Sequence, residues 1–217
     1  MAGVTEGSRP DAARARVRMT GKERREQLLD VGRALFAEKG FEVTSIEEIA
    51  SRANVSKPVV YEHFGGKEGL YAVVVDREMR TLLDSITSAL TGDNPRMLVE
   101  QAALALLTYI EEQTDGFRIL VRDSPVATST GTFSSLLNDI ASQVEYILVR
   151  EFSERKLNTK LAGMYAQMLV GMVALTGQWW LEVRKPKREE VAAHLVNLGW
   201  NGLRGLKAKP QLSLGNK

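Results

Sequence analysis

Residues 44–70 read TSIEEIASRANVSKPVVYEHFGGKEGL, and this stretch limits the fold more tightly than any other part of the chain. Ser45 precedes an apolar rhythm of Ile46, Ile49, Ala50 and Ala53, with Glu48 three places after the serine. That spacing predicts a reciprocal side-chain cap and a short helix. Asn54 should end the helix, because asparagine accepts the left-handed backbone of a tight turn better than almost any residue except glycine. Ser56 is expected to cap a second helix, and Pro58 falls in its first turn, where a missing amide hydrogen costs little. Val60 and Phe64, four apart, face inward, while Lys57, Val59, Tyr61 and His63 point elsewhere. Gly65 and Gly66 close the element and Lys67 opens the next. Two short helices joined by so tight a turn have the geometry that sets the second helix into a major groove. A plain helical hairpin has the same spacing, so spacing alone does not decide between them.

The residue types add more. Thr44-Ser45, Ile49-Ala50, Ala53-Asn54-Val55-Ser56, Tyr61-Glu62-His63-Phe64 and Lys67-Glu68-Gly69-Leu70 follow one another in this order. The string resembles the DNA-binding region of the TetR family of bacterial transcriptional regulators over about Gly21 to Leu70. Asn54 stands where the family usually has glycine, and Pro58 where glycine or threonine is more frequent. Neither departure breaks the backbone logic, although Pro58 stiffens the end of the helix nearest the bases. Beyond Leu70 the resemblance is one of architecture only.

The resemblance implies an all-α fold with an N-terminal three-helix helix-turn-helix domain and a larger C-terminal helical domain for ligand binding and dimerisation. Residues 1–19 would be a flexible basic arm, 20–66 the DNA-binding domain, 67–206 the effector-binding and dimerisation domain, and 207–217 a tail. It also implies that Tyr61, His63 and Lys67 bind phosphates, that Lys57 and Val59 lie nearest the bases, and that Ser56 and Pro58 belong to the same DNA-binding surface. A lysine can donate to guanine and a valine methyl can pack on thymine. Thr44 and Ser45, at a helix start, would offer backbone amides to phosphate.

Net charge is only +2, so the distribution of charge is more informative than its sum. Arg9, Arg14, Arg16 and Arg18, then Lys22, Arg24 and Arg25, outnumber the nearby Glu6, Asp11 and Glu23. Such an arm, with Arg16 and Arg18 closest to the domain, either reaches an adjacent minor groove or stays a solvated tail, and the sequence leaves both open. It lacks the apolar stretch of a secretory signal. The absence of cysteine removes thiolate catalysis and zinc knuckles and fits a reducing cytoplasm. His63 and His194 are far apart, and no nucleophile elbow or phosphate-cradling glycine loop is present, so neither a metal, a cofactor nor an enzyme is expected.

The rest of the chain reads as helices. Thr20-Gly21-Lys22-Glu23 caps a first helix that stops at Gly40, with Leu28, Val31, Leu35 and Phe36 as its buried stripe. Further helices are expected from Lys67 to about Leu90, Arg96 to Gln113, Phe117 to Arg122, Phe133 to Arg155, and Lys187 to Leu206, with a break at Gly116 and a loop over Asp123 to Thr132. Leu161 to Leu181 holds no charged residue and is long enough to span a bilayer. Gln167, Thr176, Gln178 and three glycines dilute it, which favours a soluble helix covered on both sides, and no membrane is expected. This helix and the last are the candidates for a homodimer interface, with Trp179, Trp180, Leu195 and Leu198 as its candidate residues, although Trp179, Trp180 and Trp200 suit either interface or core. Two reading heads would then recognise a palindromic operator in double-stranded DNA.

By the same resemblance the larger domain holds a small effector whose binding releases the operator, the usual outcome being repression. Tyr109, Phe117, Phe133, Met164, Tyr165, Met168, Met172 and Gln178 are its candidate lining, and their apolar character suggests a lipophilic ligand. The alternative is a DNA-binding structural or division-control protein of the same fold that takes no small effector.

Overall fold

The computed structural model describes residues 19–122 and 133–212. The arm with Arg16 and Arg18, the expected loop over Asp123 to Thr132, and the last five residues of the tail lie outside them. Nine α-helices and no strand occur among the described residues: α1 (Gly21–Lys39), α2 (Ile46–Arg52), α3 (Lys57–Phe64), α4 (Lys67–Ala89), α5 (Pro95–Glu112), α6 (Thr114–Val121), α7 (Phe133–Glu154), α8 (Ala162–Val183) and α9 (Arg188–Arg204). The fold is all-α, a small N-terminal helix-turn-helix head on a larger helical body.

Local chemistry sets the ends. Thr20 and Glu23 form the full reciprocal cap of α1, and Gly40, at φ 84°, stops it. At α2 only half of the expected box forms. The Ser45 hydroxyl accepts from the Glu48 amide, but the Glu48 carboxylate turns to the Lys39 ammonium, where an opposite charge outcompetes a backbone amide. Ser56 stands at the N-cap of α3 without a side-chain bond, so Pro58 and the preset backbone start that helix unaided. Asn54 takes the left-handed conformation at φ 53°. Asn54→Ala is therefore expected to cost about 1–2 kcal/mol, the ordinary penalty for a Cβ in that region. Asn54→Gly should be near neutral, and urea unfolding midpoints compare the two.

Gly116 does not break α5. The break falls at Gln113, and Gly116 lies inside α6, buried. Its role is close approach, because a Cβ there would stand 1.8 Å from a carboxylate oxygen of Glu78 on α4.

The main core joins head to body. Leu28, Leu35, Phe36, Ile49, Val60, Leu70 and Val74 run without interruption into Leu107, Ile110, Phe117, Trp180 and Leu195. A second cluster seats α7 on α8 through Leu148, Phe152, Ala162, Ala166 and Val170. The charge-free run is α8, whose inner face carries Ala162, Ala166, Val170, Ala174, Gly177 and Leu181 at helical spacing. Among the described residues no helix is long and apolar enough to cross a membrane.

Candidate nucleic-acid interface

The reading hairpin is held from behind by α1. Arg25 donates to the His63 carbonyl at 2.8 Å and lies 4.3 Å from the centroid of the Phe64 ring, and Gln27 donates to the Ala53 carbonyl at 3.2 Å. Both ends of the hairpin are thus tied to one rigid helix. Within the turn, the amides of Asn54 and Val55 donate to the carbonyls of Ser51 and Ala50. Val60 is fully buried, with Val59 and Phe64 partly buried against the same core. Neither Arg25 nor Gln27 stands out in the sequence, where Arg25 counts only as part of the basic excess.

Lys57, Pro58 and Tyr61 remain outside, and Tyr61 is 54% exposed. His63 is half-buried with its ring tilted against Phe64. Lys57 pairs across the turn with Glu47 at the start of α2. That hydrogen bond is the chief cause holding the Glu47 carboxyl below its ordinary value, so the leading edge of α3 carries a neutralised pair at neutral pH. Lys67 lies 4.2 Å from the centroid of the Phe41 ring and donates to the Phe41 carbonyl at 3.0 Å, which leaves part of its ammonium for other acceptors. Thr44 is buried, with its hydroxyl on the Gly40 carbonyl at 2.7 Å, and the Ser45 hydroxyl caps α2. These two side chains are used inside the fold, so what they can offer a phosphate is backbone.

The eight residues expected to line an effector cavity do not converge. Tyr109 and Phe117 are core residues in an edge-to-face chain that continues to the half-buried Phe133. Tyr165 packs on Phe152 in the second cluster, Met172 lies partly buried against the main core, and Gln178 is half-buried. Met164 and Met168 are exposed, because they fall on the face of α8 opposite Ala162 and Ala166. Two clefts of about 260 and 310 Å³ lie at the junction of head and body, lined by other residues such as Phe36, Phe41, Tyr71 and Arg122 in the first and Arg33 and Glu78 in the second.

The expected dimer anchors also separate. Trp179 is 51% exposed and Leu198 66% exposed, but Trp180 is 1% exposed with its indole N–H on the Pro186 carbonyl, and Leu195 belongs to the protomer core. Neighbouring residues on a helix point about 100° apart, so two adjacent tryptophans cannot share a face. Sequence reasoning also missed a buried ion pair, Glu78 with Arg33, at the head-body junction.

A rigidly backed reading helix on a larger helical body defines a helix-turn-helix transcriptional regulator. Residues 28–74 match the model of bacterial regulatory proteins of the tetR family, and residues 85–212 match the tetracyclin repressor-like C-terminal domain. The HTH-type transcriptional activator FasR of Mycolicibacterium smegmatis is 30% identical over 86% of this chain and 85% of its own length. The HTH-type transcriptional repressor Rv3405c of Mycobacterium tuberculosis is 33% identical over 44% of this chain and 48% of its own. A TetR-like transcriptional regulator from Rhodococcus sp. RHA1 superposes with a TM-score of 0.73 at 24% identity, covering 87% of this chain and 100% of that one. The chain belongs to the TetR family of bacterial transcriptional regulators.

Proposed function

We propose that the chain works in the cytoplasm as a homodimer on a palindromic operator, which it leaves when a small, largely apolar effector enters residues 67–206. Residues 20–66 would do the reading. The observation that carries this is the exposed face of α3, where Lys57, Pro58 and Tyr61 all reach solvent on a head braced by Arg25 and Gln27. Support for the dimer is the outer face of α8 and α9, where Met164, Met168, Leu175, Trp179, Val183 and Leu198 are all exposed. A run of large apolar side chains along two adjacent helices is what an interface presents before its partner arrives.

Selecting bound duplexes from a random pool tests the reading. The expected product is a palindrome with half-sites about one helical turn apart, bound by two chains in sedimentation. A single half-site bound by one chain overturns it. Adding lipophilic compounds to that complex should release the DNA, whereas release by none favours a structural or division-control protein.

Repression is the family's usual mode and our first reading. Activation is the second, supported by the relative named an activator, which is matched through both domains. A reporter behind the selected operator decides, since deleting the regulator raises expression in one case and lowers it in the other.

A further inference from the structure

Glu78 is the most buried charged side chain among the described residues, 5% exposed, and four helices meet at its carboxylate. From α1, in the reading head, the Arg33 Nε donates to Oε1 at 2.7 Å, and a terminal guanidinium nitrogen reaches Oε2 at 3.4 Å and the Gln113 side chain at 3.1 Å. From α5, the Tyr109 hydroxyl donates to Oε2 at 3.0 Å. From α6, the backbone of Gly116 presses so close that a Cβ would stand 1.8 Å from Oε2 and 2.8 Å from the Tyr109 hydroxyl. Burial first, and then the charge of Glu78, raise the Tyr109 phenol well above its ordinary value, so it stays a donor. An ion pair in such surroundings needs every lone pair answered, and here each partner comes from a different element.

We infer that Glu78 and Arg33 are positioning residues for DNA recognition: their pair fixes the angle of the reading head on the body and passes movement of α5 and α6 to α1. This rests on the dimeric operator reading proposed above. Packed junctions of this kind switch between discrete arrangements instead of deforming smoothly. Gly116 leaves no slack between α6 and the carboxylate, so a shift of α6 toward α4 must move Glu78 and with it Arg33. None of the DNA-facing side chains takes part, so the pair acts on where the head sits and not on what it touches.

The full-length chain tests this on duplexes that it has itself selected, compared with the same duplexes carrying one extra base pair between the half-sites. A fixed head angle makes the parent prefer its own spacing. Glu78→Gln, which keeps the shape and removes the charge, is expected to shrink that preference roughly tenfold, within the usual range of coupling between sites. Equal weakening at both spacings, with the preference intact, would mean a merely structural pair and overturn the inference. Should Glu78→Gln fail to fold, Arg33→Gln breaks the same pair from its more exposed partner and is read by the same two outcomes. If the parent selects no paired half-sites, the dimeric reading itself fails, which is a different result from an unchanged preference in the variant.

Discussion

Trp180→Ala is expected to destabilise the protomer by about 3–5 kcal/mol, the range for truncating a large aromatic in a packed core. The side chain is 1% exposed and touches the central cluster that links head to body. Its indole N–H bonds the Pro186 carbonyl at 2.8 Å, and the Arg184 guanidinium lies 5.2 Å from the centroid of its ring. The substitution therefore opens a void and releases the chain between α8 and α9 together. Trp179→Ala, one residue earlier, should change protomer packing by no more than about 0.5 kcal/mol, as exposed substitutions usually do. In the proposed dimer its effect should appear as dissociation, because Trp179 lies on the outer apolar face. Urea unfolding at several protein concentrations separates the two effects, since stability drawn from dimerisation depends on concentration and core packing does not. Equal stability of Trp180→Ala and the parent would remove Trp180 from the core.

The contrast between these tryptophans shows what was legible in the sequence. Helix ends were legible because they depend on neighbours: Thr20 with Glu23, Asn54 in its turn, and the start of α4 at Lys67 are all where local chemistry puts them. The face of a fully apolar helix was not. In α8 hydrophobicity is nearly uniform around the axis, so the hydrophobic pattern by itself does not say that Ala162 and Ala166 point in and Met164 and Met168 out. Small residues were the better guide, because close helix packing selects alanine and glycine on the inner face. Gly177, whose Cβ would stand 2.8 Å from Ile110, is the clearest case.

Glu78 was legible and overlooked. Leu70, Val74, Glu78 and Leu82 are spaced by four along α4, which places a carboxylate within the buried stripe. Its partner could not be found the same way, as Arg33 lies 45 residues earlier and only the packing of α1 on α4 brings them together. The same limit applies to Arg25 and Gln27, which brace the reading hairpin across tertiary contacts that leave no local pattern.

On DNA the largest effects should come from Tyr61 and Lys57, and they should differ in kind. Tyr61 is exposed on the face of α3 away from Val60, and in the proposed interface its hydroxyl donates to a phosphate, a contact that carries no base information. Tyr61→Ala is therefore expected to lower affinity by about tenfold on every duplex, cognate or not. Lys57 stands in the first turn of α3 and, if it reaches a guanine, Lys57→Ala should cost about 1–3 kcal/mol of discrimination at that base pair. A second consequence follows from its partner. The Glu47 carboxyl is held below its ordinary value chiefly by the Lys57 hydrogen bond, so removing Lys57 leaves an unneutralised carboxylate beside the proposed DNA-binding face. Lys57→Ala should therefore also weaken binding to unrelated DNA. Adding Glu47→Gln should restore that general affinity without restoring the sequence preference. Titrations of the three variants against selected and scrambled duplexes separate the contributions, and parental binding by both Tyr61→Ala and Lys57→Ala would take α3 out of the interface.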